Sequence, residues 1–215
     1  MTINDQVQIL LNEFKEEFPY YRDHCLHCAA EGAEYLGEIT CTSHLEKDIQ
    51  RAVRAELRYC SSCSKLSRFV RANDVNSIMQ RKYGRCGEYS IAFAAILLIF
   101  GLDIRWIYDS SDHVWIEALI NNKFIHCDPC EAALNQPLLY SQNWQKSSSL
   151  VLAFDKHQAI DLTSFYYPDN STVATLRKNI HLSPELISSI LSQYNFSASN
   201  TTITTSTQKA ANNRN

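Results

Sequence analysis

Three side chains in this sequence are of the right types and spacing for nucleophilic acyl transfer: Cys86, His113 and Asp128. Cys86 lies in Gly84-Arg85-Cys86-Gly87-Glu88-Tyr89, directly ahead of the apolar run from Ile91 to Phe100. That order predicts a thiol on a glycine-flanked turn at the N-terminus of a buried helix, with Gly101 as its stop. The positive end of the helix macrodipole favours thiolate over thiol. Gly84 and Gly87 are expected to let a substrate approach the sulfur. A thiol oriented by a histidine, itself oriented by an acid, is the logic of a Cys-His-Asp triad. Cys86 is the expected nucleophile, His113 the proton carrier and Asp128 the group that fixes the imidazole.

These residues need a helix and a hairpin to position them. The stretch from Asp112 to Ile120 alternates as a strand does, and the return strand runs from Lys123 to Pro129. With Asn121-Asn122 as a two-residue turn, Ile120 faces Lys123, Trp115 faces Asp128 and His113 faces Cys130. His113 and Asp128 then share one face as diagonal neighbours. Further strands are expected at Asp103–Tyr108, Ser149–Phe154 and Ala159–Thr163, and a helix at residues 1–18. The whole reads as α+β, a buried helix carrying the cysteine against an antiparallel sheet carrying the histidine and aspartate.

The motifs 84–88, 112–117 (Asp-His-Val-Trp-Ile-Glu) and 126–131 (His-Cys-Asp-Pro-Cys-Glu) resemble the cytoplasmic peptide:N-glycanases of the transglutaminase-like superfamily. So do Arg68–Asp74 upstream and Gln136–Tyr140 with Asn143-Trp144 downstream. The resemblance runs over residues 10 to 167. It implies Cys86, His113 and Asp128 as the triad, Arg105, Trp115 and Glu117 as substrate-binding positions, and a papain-like, transglutaminase-like core. It also implies hydrolysis of the amide joining an asparagine side chain to its glycan, on denatured N-glycoproteins, and leaves a proteasome-shuttle protein open as a partner. Two positions depart from the family pattern: Tyr89 and Phe124 stand where tryptophan is usual. The rival readings are a cysteine protease or transglutaminase on the same triad, and a weakly active or inactive glycoprotein-binding adaptor.

Cys25, Cys28, Cys60 and Cys63 form two Cys-x-x-Cys pairs, with residues 29–59 between them. Two such knuckles suit a closed tetrahedral site of four thiolates, a structural Zn2+, and the family implies the same. Disulfides are the alternative, as is replacement of one thiolate by Cys41, His24, His27 or His44. A helix is expected over Ser43–Leu57, with Ser43 as N-cap, Glu46 completing a capping box, and Leu45, Ile49, Val53 and Leu57 as its stripe.

At 215 residues the chain is long enough for one enzyme core with a small zinc lobe. The sequence divides into an N-terminal helix (1–24), a zinc lobe (25–67), a catalytic core (68–180), a helix (181–196) capped by Ser183 with Pro184 at N1, and a polar tail (197–215) expected to be disordered. The formal net charge of −3, without a basic stripe, argues against a nucleic-acid partner. The longest apolar run, residues 91–100, is too short to span a bilayer. A cytoplasmic location is expected.

Overall fold

The computed structural model describes residues 1–195, so the expected tail at 197–215 lies outside them. The chain forms two compact units. One comprises Met1–Gly101 with Asp128–Leu134, and the other Leu102–Cys127 with the chain from Asn135 onward.

In the first unit, α1 (Ile3–Glu17) begins at Thr2, whose hydroxyl accepts the Asp5 N–H while the Asp5 carboxylate accepts the Thr2 N–H. This reciprocal cap satisfies two otherwise orphaned donors. Val7, Leu11 and Phe14 form its buried stripe. Phe14 then packs on Phe18, Tyr89 and Phe93, bringing α1 onto α3 (Cys86–Ile99). The helix expected from the central apolar run is therefore present, and it starts at Cys86. Its far end departs from expectation: Leu98, Ile99 and Phe100 are exposed, Ile99 by 85%. Apolar composition on all sides predicts burial on all sides, but only the face carrying Tyr89, Phe93 and Leu97 is covered.

A three-stranded antiparallel sheet, β1 (Glu34–Thr40), β2 (Arg54–Cys60) and β3 (Lys65–Val70), completes this unit with the short helix α2 (Val75–Arg81). This overturns the helix expected over Ser43–Leu57. Ser43 does accept the Glu46 N–H at 3.3 Å, so the local cap forms. Beyond the cap the chain makes a single wide turn, Leu45–Ile49, then takes a positive φ of 50° at Arg51 and enters β2. Leu45, Ile49 and Val53, the supposed buried stripe, are exposed. Pairing of β2 with strands on both sides outweighs the local helix signal, as nonlocal contacts commonly do.

The second unit is a meander with an added pair: β6 (Lys123–Asp128), β5 (His113–Ile120), β4 (Ile104–Asp109), β8 (Val151–Phe154) and β9 (Ala159–Asp161), all antiparallel. Between β6 and β8 the chain passes through the two-residue strand β7 (Ala133–Leu134) of the first unit. Asn121 and Asn122 have φ of 51° and 60°, the pair of left-handed residues a type I′ turn needs. The register from Ile120↔Lys123 to Ile116↔Cys127 is the one the two-residue turn predicts. Ile107, Trp115, Tyr140, Val151, Tyr166 and Val173 build the core, with α4 (Thr163–Tyr166) and α5 (Asn170–Asn179) supplying the last two. The C-terminal helix α6 (184–195) is present, with Ser183 accepting the Leu186 N–H at its start.

Candidate active site and metal centre

The candidate metal centre is built on two tight turns. The first comes after Tyr21: the Cys25 carbonyl accepts the Ala29 N–H, and the Cys25 N–H donates to the Ala30 carbonyl. The second joins β2 to β3. The residue after each knuckle, Ala29 or Ser64, takes a positive φ of 59° or 55°, which closes the turn around the sulfurs. The four Sγ atoms of Cys25, Cys28, Cys60 and Cys63 lie within 4.8 Å of one another, with Cys25 to Cys63 at 3.6 Å and Cys28 to Cys60 at 3.7 Å. Four thiolates about 2.3 Å from a tetrahedral ion stand about 3.8 Å apart, so the spacing fits a closed four-sulfur site.

The electrostatics agree. Backbone N–H groups, the His27 N–H first, pull the Cys25 thiol down to about 6. Burial and the three neighbouring thiols push Cys63 up to about 12. Four thiols in this space ionise together only around a cation. The alternative ligands are elsewhere: His27 Nε2 bonds the Leu66 carbonyl, His44 pairs with Asp48, and Cys41 packs with Ala52 and Ala55. All eight cysteines are free of disulfides.

Cys86 is half-buried at the first position of α3. Arg85 before it is extended, and its N–H donates to the Glu88 carboxylate at 3.1 Å, which fixes the start of the helix. Gly84 pairs with Tyr20, its carbonyl accepting the Tyr21 N–H at 2.8 Å. The need for glycine at 84 is an internal one rather than substrate approach. A Cβ there would stand 2.4 Å from the Glu88 Cβ, too close for any real contact. Gly84→Ala is therefore expected to displace Glu88 and destabilise the protein by about 1–3 kcal/mol, measured as a lower denaturation midpoint. At Gly87 the same test meets only Arg71, at 3.6 Å.

Tyr89, where the family pattern has tryptophan, keeps a polar handle in the core: its buried hydroxyl donates to the Phe18 carbonyl. Asp128, the last residue of β6, is fully buried and accepts the Cys130 N–H at 2.8 Å. Burial, reinforced by the Asp128 charge and then by Cys86, pushes the Cys130 thiol far up. A buried thiol pushed up in this way is a poor nucleophile.

In the second unit His113 opens β5 opposite Asp109 of β4 and is buried. Three aromatic rings surround it, Trp115 at 5.6 Å, Tyr140 at 5.3 Å and Trp144 at 5.0 Å between centroids. Tyr140 and Trp144 are site neighbours to which the sequence assigned no role, although both lie in the downstream motif at 136–144. The Tyr140 hydroxyl also bonds His126 Nε2 at 2.7 Å.

Arg105, Trp115 and Glu117 come together in one buried network. Arg105 and Glu117 are directly opposite on β4 and β5 and form an ion pair. The Tyr166 hydroxyl donates to Glu117, and the Trp115 Nε1–H donates to that hydroxyl at 3.0 Å. Phe124 lies under the Arg105 guanidinium at 4.2 Å. Trp115 and Glu117 have no exposed surface, so in this structure neither offers a face to a ligand.

Residues 34–129, which include Cys86, His113 and Asp128, match the transglutaminase-like superfamily. The chicken peptide-N(4)-(N-acetyl-beta-glucosaminyl)asparagine amidase is 36% identical over 171 residues, 78% of this chain and 26% of the relative. The amidase of the same name from Saccharomyces cerevisiae is 34% identical over 76% of this chain and 47% of its own length. That from Caenorhabditis briggsae is 33% identical over 79% and 28%. The chain thus spans between about a quarter and a half of the length of these relatives. Residues 34–129 thus form a transglutaminase-like domain, and the chain is similar to relatives named peptide-N(4)-(N-acetyl-beta-glucosaminyl)asparagine amidase.

Proposed function

We propose that the chain is the catalytic part of a peptide:N-glycanase, hydrolysing the amide between an asparagine side chain and its N-glycan. The observation that carries this reading is Cys86, half-exposed at the N-terminus of α3 inside the matched transglutaminase-like segment. In the proposed reaction the Cys86 sulfur attacks the side-chain carbonyl and expels the glycosylamine, which takes its proton from His113. Asp128 holds the imidazole. Water then cleaves the thioester, leaving aspartate in the peptide and the thiol restored. Arg105, Trp115 and Glu117 serve by fixing the strands that carry His113.

Cys25, Cys28, Cys60 and Cys63 would hold Zn2+, which supplies a crosslink between the two knuckles. A closed set of four thiolates leaves no position for water or substrate. Denatured N-glycoproteins in the cytoplasm are the proposed substrates. Eight cysteines without a disulfide suit a reducing compartment, and among the described residues no helix is long and apolar enough to cross a membrane. A proteasome-shuttle protein is the partner such a substrate implies.

The test is incubation with a denatured high-mannose glycopeptide, read by mass spectrometry. The expected products are an intact peptide and a glycan keeping both core N-acetylglucosamines. A peptide retaining one sugar would mean a glycosidase, whose chemistry needs paired carboxylates. A cut backbone would mean a protease. No reaction, with denatured and native glycopeptide alike bound, would favour the adaptor.

A further inference from the structure

We propose that a buried ion cluster, centred on Glu56, is a positioning device for the Cys86 sulfur; this rests on reading Cys86 as the nucleophile. The residue that links them is Arg85, immediately before Cys86. Its guanidinium Nη2 donates to Glu56 at 2.9 Å and to Asp23 at 2.5 Å, while its backbone N–H is held by Glu88. Glu88 is itself gripped by Arg71 through two bonds of 3.0 and 3.2 Å and approached by Arg81 at 3.6 Å. Glu56 closes the circuit by accepting from Arg71 at 3.3 Å and from Arg58 at 2.9 Å, and Arg58 reaches Asp23 at 2.8 Å. The peptide that carries the sulfur is thus tied by both its side chain and its backbone.

Burying charges is a poor route to stability, because apolar residues of similar volume do as well or better. Here Glu56 and Glu88 are only 3% and 2% exposed. The cluster sets four guanidiniums, of Arg58, Arg71, Arg81 and Arg85, against the three carboxylates of Asp23, Glu56 and Glu88. Four against three makes the excess cationic, and among the described residues Arg58 Nε and Arg81 Nη2 are buried without a hydrogen-bond partner. The rings of Phe69, Tyr83 and Tyr21 back the guanidiniums of Arg71, Arg81 and Arg85 at 4.9 to 5.7 Å. The Arg71 guanidinium lies against Gly87, the residue after Cys86. What such an arrangement provides is fixed geometry and positive charge beside the sulfur. Geometry matters because a misplacement of about 1 Å can cost about a hundredfold in rate.

Glu56 and Arg58 alternate with Cys60 along the inward face of β2, so one strand carries both a metal-cluster cysteine and the anchors of Arg85. Glu56 thereby acts on a residue thirty positions away in sequence without touching substrate.

The test compares the metal-loaded protein with Glu56→Gln and with Asp23→Asn, the latter on the half-exposed rim where folding tolerates the change. Three quantities are read: backbone amide exchange over residues 84–90, the pH midpoint of Cys86 alkylation by iodoacetamide, and kcat against KM on denatured glycopeptide. Each variant removes one negative charge and so favours the thiolate, moving the alkylation midpoint to lower pH. Despite that, kcat should fall at least tenfold for Glu56→Gln with KM within threefold, and exchange should rise at 84–90 but not in α1. Glu56→Asp should recover part of kcat. Folded variants with unchanged midpoint, local exchange and kcat would overturn the proposal, and so would exchange raised equally throughout. If Glu56→Gln does not fold, Asp23→Asn alone decides by the same readings. Should the wild type release no glycan, the exchange and alkylation shifts still test the positioning, while the glycanase reading falls by itself.

Discussion

Cys86→Ala is expected to abolish glycan release, by about 10⁴-fold or more, while leaving the fold and the metal content unchanged. The magnitude follows from the loss of a covalent nucleophile, which the other two members of a triad cannot replace. The fold should survive because Cys86 is half-exposed, and alanine is well suited to a first helical turn. Cys130→Ala is the control: its buried thiol is held protonated beside Asp128, so its removal should leave the chemistry intact. Release rates on a denatured glycopeptide and the melting temperature of each variant check both statements. An active Cys86→Ala would remove the triad from the account.

The sequence exposed the helix and the place of Cys86 at its start because both signals are local. A glycine-flanked cysteine ahead of a long apolar run admits few foldings, and α3 begins at Cys86 as that pattern requires. The hairpin was legible for the same reason: Asn121 and Asn122 both take the left-handed conformation that fixes a two-residue turn, and the turn fixes the register. The sheet of the first unit was not legible, and the physical cause is specific. The inward side of β2 carries Glu56 and Arg58 rather than apolar residues, since their partners there are other charges. With the buried face polar, the spacing of Leu45, Ile49, Val53 and Leu57 pointed to a helix instead. Asp23, Glu56, Arg58 and Arg81 drew no notice individually, because only the fold assembles them.

Removal of the metal is expected to unfold the knuckle-bearing unit rather than to inhibit the protein reversibly. Structural zinc in small domains contributes about 10–16 kcal/mol of apparent binding free energy, comparable to or larger than the 5–15 kcal/mol by which domains are stable. The apolar packing around Cys25, Cys60 and Cys63 is small, built from Ala30 and Ala33. One ion per chain should be found, lost on Cys60→Ser and retained on Cys86→Ala. A strong chelator at neutral pH should remove the cooperative melt. The sign with pH is fixed by the ligands: they bind as thiolates, so acidification competes with the metal and lowers stability, and raising the pH restores it. Metal-free protein melting as the loaded form does would contradict this.

The central claim, that a thiol of this chain hydrolyses the side-chain amide of a glycosylated asparagine, is tested most directly by the mass of the peptide product. In ordinary water the deglycosylated peptide should be about one dalton heavier than its asparagine form, and about three daltons heavier when the water carries heavy oxygen. Its backbone should stay whole, and neither product should form with Cys86→Ala. A product peptide with unlabelled asparagine, a residual sugar or a broken backbone would contradict the account.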